Sequence, residues 1–144
     1  MSKKQNVPFF ESYNLLATWF GVGNIKYAPG TFGSLAALPI WLLIDSIFRN
    51  VYVPVFAQTL IWVILLSLLF FVGVFAADIY SKKTKSKDSS KIVIDEVLGQ
   101  LLTIVLSYPF VIGYIYTNKG VVIYLIGCFV LFRIFDISKV FLAI

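Results

Sequence analysis

Histidine is absent from this chain, and cysteine occurs once, at Cys128. The first absence removes imidazole nucleophiles and acid–base pairs, histidine-type zinc sites and haem held by histidine. The second excludes an internal disulfide and a cysteine-rich metal centre. A metal held here must take oxygen ligands, which favours Mg²⁺ or a similar hard cation. Charge is also scarce. Only 13% of the 144 residues are charged, about half the usual share in soluble domains.

What is there instead is apolar. Hydrophobic residues make up 60% of the chain, and the mean hydropathy is +0.92. The expectation is an all-α, polytopic membrane helix bundle forming one domain over 1–144. The net charge is +5, but the positives are clustered, as membrane topology requires. No basic stripe carries interleaved exposed aromatics, so nucleic acid is excluded as a partner. The N-terminus starts with two lysines like a signal peptide, then meets Pro8, Glu11 and Asn14. No small-residue cleavage site follows, so it reads as retained. A short interfacial helix is expected over 9–20, with Phe9, Phe10, Tyr13, Leu16 and Phe20 on its apolar side.

Four spans are expected. The first covers 33–48, because Pro29, Gly30 and Gly33 should delay the helix. The second covers 55–77 and the third 97–118, with a kink at Pro109. The fourth begins after Lys119 and Gly120 and carries Arg133, Asp136 and Lys139 in its second half. The loop SKKTKSKDSSK should be cytoplasmic. The resulting topology places ten basic residues inside against Arg49 and Lys119 outside. It also gathers the polar residues of all four spans, and every acid except Asp45, at the cytoplasmic face. Such convergence is a site signal.

In KIVIDEVLGQLLTIVL, Asp95 and Glu96 open a run without charge. Burying two acids in hydrocarbon is costly unless water or a cation reaches them. They should point about 100° apart on a helix. Gln100, one turn on, can hydrogen-bond Glu96, and Gly99 permits close approach of a neighbour. The structural alternative is a juxtamembrane pair answered by Lys91. Asp88 lies seven residues before Asp95, too far along a helix to share one ion with it; Asp88 or Ser89 reads equally well as a helix cap.

In FRIFDISK, Arg133, Asp136 and Lys139 fall at steps of three on one helical face. They form either an intrahelical ladder or a set in which Asp136 serves a cation and Arg133 and Lys139 hold phosphate. APGTFGSL is a turn into a helix, where Thr31 or Ser34 can cap and free N–H groups can bind an anion. It is not a nucleotide-binding loop, since no Gly-Lys-Ser/Thr follows. Cys128 precedes Arg133 by too few residues for a cysteine phosphatase loop, and reads as a small buried apolar residue.

GVGNIKYAPGTFGSL, DSSKIVIDEVLGQ and FRIFDISK, in that order and spacing, resemble phosphatidylglycerophosphatase A. The resemblance covers roughly 15–139. It implies a multi-pass enzyme of the bacterial inner (cytoplasmic) membrane, with its active site facing the cytoplasm. The implied reaction is Mg²⁺-dependent removal of the terminal phosphate of phosphatidylglycerophosphate, giving phosphatidylglycerol. It implies metal ligation by Asp88, Asp95, Glu96 and Asp136, catalysis by Asp95, Asp136 and Lys139, and phosphate binding by Thr31, Ser34, Arg133 and Lys139. Two departures stand out. Val140 follows Lys139 where the family usually has proline, and family members continue past the equivalent of Ile144, so a C-terminally shortened chain is expected. The rival expectation is a non-catalytic membrane protein that binds anionic lipid or a partner.

Overall fold

The computed structural model describes residues 11–86, 89–117 and 119–142. It is helical throughout: α1 (Ser12–Ala17), α2 (Pro29–Asn50), α3 (Val55–Thr84), α4 (Ile94–Ile115) and α5 (Gly120–Leu142), with a 3-10 turn over Val22–Asn24 before α2. Among the described residues there are no strands. Helices α2 to α5 are each long and apolar enough to cross a membrane. The four expected spans are all present, and their ends differ from expectation for physical reasons.

Helix α2 starts at Pro29 rather than at 33. Proline's fixed φ suits the first turn of a helix, and its missing N–H costs nothing there. The corner falls one residue earlier, on Ala28, which sits in the left-handed region at φ 46°. Helix α3 runs to Thr84, well past 77. Its 30 residues extend about 45 Å, more than the ~30 Å hydrocarbon core. The overhang is packed by α1 at Ala76 and Tyr80; it also carries an exposed Asp78–Lys82 pair at 2.6 Å and lysines that complement the C-terminal dipole. Helix α4 starts at Ile94 with Val93 as its cap residue, and continues through Pro109. Ser89 is therefore not the cap; its Oγ accepts from Lys91 N–H at 3.4 Å. Asp88 lies outside the described residues.

The expected helix over 9–20 is reduced to α1, and Phe9 and Phe10 lie outside the described residues. Tyr13 and Ala17 are buried against Ala76 and Tyr80 of α3, so α1 is docked on the bundle. The main core joins Ala37 and Trp41 of α2, Val97, Leu101 and Ile104 of α4, and Leu125 and Cys128 of α5. Helix α4 is central, touching α2, α3 and α5. Much of α3 faces outward with Leu68, Phe71 and Phe75 exposed, as suits a helix bathed in lipid.

Candidate active site at one end of the bundle

The first turn of α4 carries Asp95 and Glu96. Acids are favoured there, because the unpaired N–H groups and the helix dipole present positive charge. The two side chains diverge as helical geometry requires. Asp95 is exposed and lines a groove between α3 and α4. Glu96 is half-buried and turned toward α2 and α5.

Two glycines permit this approach. A Cβ on Gly30 would lie 2.9 Å from Glu96 Oε1 and 3.5 Å from Arg133 Nη1. A Cβ on Gly99 would lie 2.5 Å from the Phe132 ring. The first contact brings the start of α2 onto the acid. The second seats α5 close against α4, so that Arg133, next to Phe132, reaches the same point. Arg133 also forms an ion pair with Asp136 of its own helix, and both are largely shielded from solvent. Asp95 and Asp136 are both near enough to Glu96 to act on it through charge. Asp95, Glu96, Arg133 and Asp136 are thus brought together from separate parts of the chain.

The remaining expected residues are placed differently. Lys139 is exposed in the last turn of α5 and makes no ion pair among the described residues. Thr31 is half-exposed beside Gly30. Ser34 is fully buried and donates its hydroxyl to Gly30 O at 2.9 Å, so its hydroxyl is turned inward and not presented to a phosphate. Neither Thr31 nor Ser34 caps α2. The anion cradle expected there is reduced too: Pro29 has no N–H, and the N–H groups of Thr31 and Phe32 both donate to Ala28 O.

Sequence reading missed what is unsatisfied. Glu96 Oε2 is buried without a hydrogen-bond partner among the described residues, and so are both amide atoms of Gln100. The expected Gln100–Glu96 hydrogen bond is not formed. Gln100 is fully buried, where an unpartnered amide costs about 1–3 kcal/mol. The signal was visible as a lone amide in an apolar run.

The opposite end of the bundle buries an acid differently. Asp45 is almost fully buried and accepts from Tyr116 Oη at 2.9 Å. Arg49 Nε stands 3.1 Å from its other oxygen, an ion pair whose angle falls outside hydrogen-bond geometry. Tyr116 and Tyr108 share a hydroxyl contact at 2.6 Å, and the Arg49 guanidinium lies 4.6 Å from the Tyr116 ring centre. Withdrawal of its hydroxyl from water, then the bonds to Tyr108 and Asp45, raise Tyr116 above the ordinary tyrosine value.

The sequence model of the phosphatidylglycerophosphatase A family matches residues 15–144. The chain belongs to that family. Two curated relatives agree. One, from Bacteroides thetaiotaomicron, bears a name that proposes a phosphatidylinositol-3-phosphatase. It is 34% identical over 127 residues, covering 87% of this chain and 70% of the relative. The other, named phosphatidylglycerophosphatase A, comes from Escherichia coli K12. It is 29% identical over 136 residues, covering 94% of this chain and 67% of the relative. No solved structure matches.

Three carboxylates beside one arginine suit a phosphate only where a cation offsets the acids. Among the described residues, no set of three or more Asp, Glu or Cys side chains stands at ligand spacing. Mg²⁺, however, is commonly held by one or two carboxylates, with water and substrate phosphate completing its shell. The adjacent Asp95 and Glu96, with an unpartnered oxygen on Glu96, fit that mode.

Proposed function

We propose that this family member is a Mg²⁺-dependent lipid phosphatase that hydrolyses the terminal phosphate monoester of phosphatidylglycerophosphate to phosphatidylglycerol. The observation carrying the reading is Glu96. Its carboxylate meets the start of α2 through Oε1, close to Arg133 of α5, while Oε2 is buried without a hydrogen-bond partner among the described residues. The names of the two relatives differ in headgroup and share the phosphatidyl anchor. That supports a phosphorylated lipid as the substrate class.

In this reading, Asp95 and Glu96 would hold the metal ion, with water and the substrate phosphate completing its shell; Asp136 does not stand at ligand spacing with the pair, and Asp88, the other expected ligand, lies outside the described residues. The ion would supply charge neutralisation at the phosphoryl group and a readily deprotonated water. The chain's own residues do the rest. Arg133 has five N–H donors, enough to keep Asp136 oriented while taking a phosphoryl oxygen. Lys139, free at the end of the same helical face, supplies a second positive charge, and Thr31 supplies a hydroxyl beside Gly30. Positive groups placed before the reaction are worth most where phosphoryl charge builds up. Overall, the ester P–O bond breaks, water supplies the oxygen that replaces it, and the lipid leaves as an alcohol with inorganic phosphate, whether water attacks directly or after an aspartyl-phosphate forms. The site would face the cytoplasm of a bacterial inner membrane, since the lysines of 82–91 flank it.

Phosphate release from phosphatidylglycerophosphate in nanodiscs, with Mg²⁺ and with chelator, tests the proposal. Release that stops on chelation and is absent in Asp95→Asn supports it. No release from folded wild-type protein at any Mg²⁺ concentration would leave the non-catalytic lipid-binding alternative.

A further inference from the structure

Between α3 and α4 runs a groove of about 540 Å³, within the usual ~300–1,000 Å³ range for ligand pockets. We propose that it seats one acyl chain of the phosphorylated lipid, an inference that rests on the phosphatase reading of the adjoining acids. The groove is amphipathic along its length. Leu69 and Val74 of α3 and Leu98 of α4 form its apolar part, while Asp78, Ser89 and Asp95 stand at its polar end. From Leu69 to Asp78 the α3 backbone drops about 14 Å at the helical rise. Half of a ~30 Å hydrocarbon core is nearly the same depth. The groove therefore matches one leaflet, with its polar groups at the level of the headgroups.

Asp95 links this groove to the candidate site. It lines the polar end and is the immediate neighbour of Glu96. A chain lying in the groove delivers its headgroup to the two acids. Charge does not oppose this. Asp78 is neutralised by Lys82 at 2.6 Å, and Lys85 and Lys91 are exposed just beyond, with no ion pair among the described residues. Exposed lysines near a bilayer surface attract anionic lipid. The neighbouring outward face of α3, with Leu68, Phe71 and Phe75, lies outside the groove lining and serves as an internal control.

The test is photo-labelling in phosphatidylcholine nanodiscs. The probe is phosphatidylglycerophosphate carrying a diazirine midway along one acyl chain, with diazirine-bearing phosphatidylcholine as the comparison. The expected result is labelling of Leu69, Val74 and Leu98 at least fivefold above Leu68, Phe71 and Phe75. Unlabelled phosphatidylglycerophosphate should compete it away, and Leu98→Trp should lose it. Val74→Trp, on the other wall, provides a second block should Leu98→Trp fail to fold. Labelling spread evenly over α3, or equal groove labelling by both probes without competition, would overturn the inference. Phosphate release measured on the same samples keeps the two claims apart. Groove labelling without release sinks the phosphatase reading and leaves a lipid-binding groove. Release with diffuse labelling does the reverse.

Discussion

At one end of the bundle Asp45 accepts a hydrogen bond from Tyr116 on one oxygen, and the other, without a hydrogen bond, is answered by the charge of Arg49. At the other, Glu96 Oε2 and both amide atoms of Gln100 are answered by nothing among the described residues. Both ends bury a carboxylate near the edge of a membrane span. The difference is one of partners: Asp45 has a counter-charge and a donor, and Glu96 Oε2 has no hydrogen-bond partner among the described residues. The Asp45–Arg49–Tyr116 network ties α2 to the end of α4 and repays part of its desolvation cost. An unsatisfied pair lowers stability and persists where something else completes it during function.

That comparison can be broken by mutation. The largest effect should come from Glu96→Gln, which removes one negative charge and little volume. Phosphate release should fall about 10³-fold, in line with the loss of a transition-state contact, with the thermal midpoint unchanged or raised. The matching change at the other end, Asp45→Asn, should act in reverse. It should cost about 2 kcal/mol of stability, below the 3–5 of a fully buried pair because Arg49 is half exposed. Turnover per folded molecule should stay within about twofold. Gln100→Leu sharpens the contrast. Replacing an unpartnered amide with an apolar side chain should gain about 1 kcal/mol while lowering turnover about tenfold, the trade expected at a functional site. Tyr116→Phe should have the smallest effect, about 0.6 kcal/mol, the typical value of a side-chain hydrogen bond between membrane helices. Thermal unfolding in detergent and phosphate release on the same samples check all four.

The spans were legible because charge-free runs of membrane length have few alternative readings. Their ends were less so. Pro29 looked like a delay and proved to be the first residue of α2, since the same fixed φ serves turns and helix starts alike. The overrun of α3 is packed against α1 through Ala76 and Tyr80, a contact that a hydropathy window does not register. At the site, the acids and Arg133 were visible as residue types, and Asp95 and Glu96 diverge as helical spacing requires. Where Glu96 points could not be read, because the contact lies between elements far apart in sequence. Gly30 and Gly99 show this: each is an ordinary helix-weakening residue in one dimension and a point of close approach in three. Ser34 shows the opposite failure. Its hydroxyl looked available in sequence, and the helix itself uses it.

The central claim is that Glu96 and its neighbours are held unsatisfied for a phosphorylated lipid. It is tested most directly by comparing wild type with Glu96→Gln for phosphate release from phosphatidylglycerophosphate in Mg²⁺-containing nanodiscs. Both proteins should show the same unfolding midpoint within error, or a higher one for the variant. The account requires release by wild type alone. Equal release by the folded variant would contradict it.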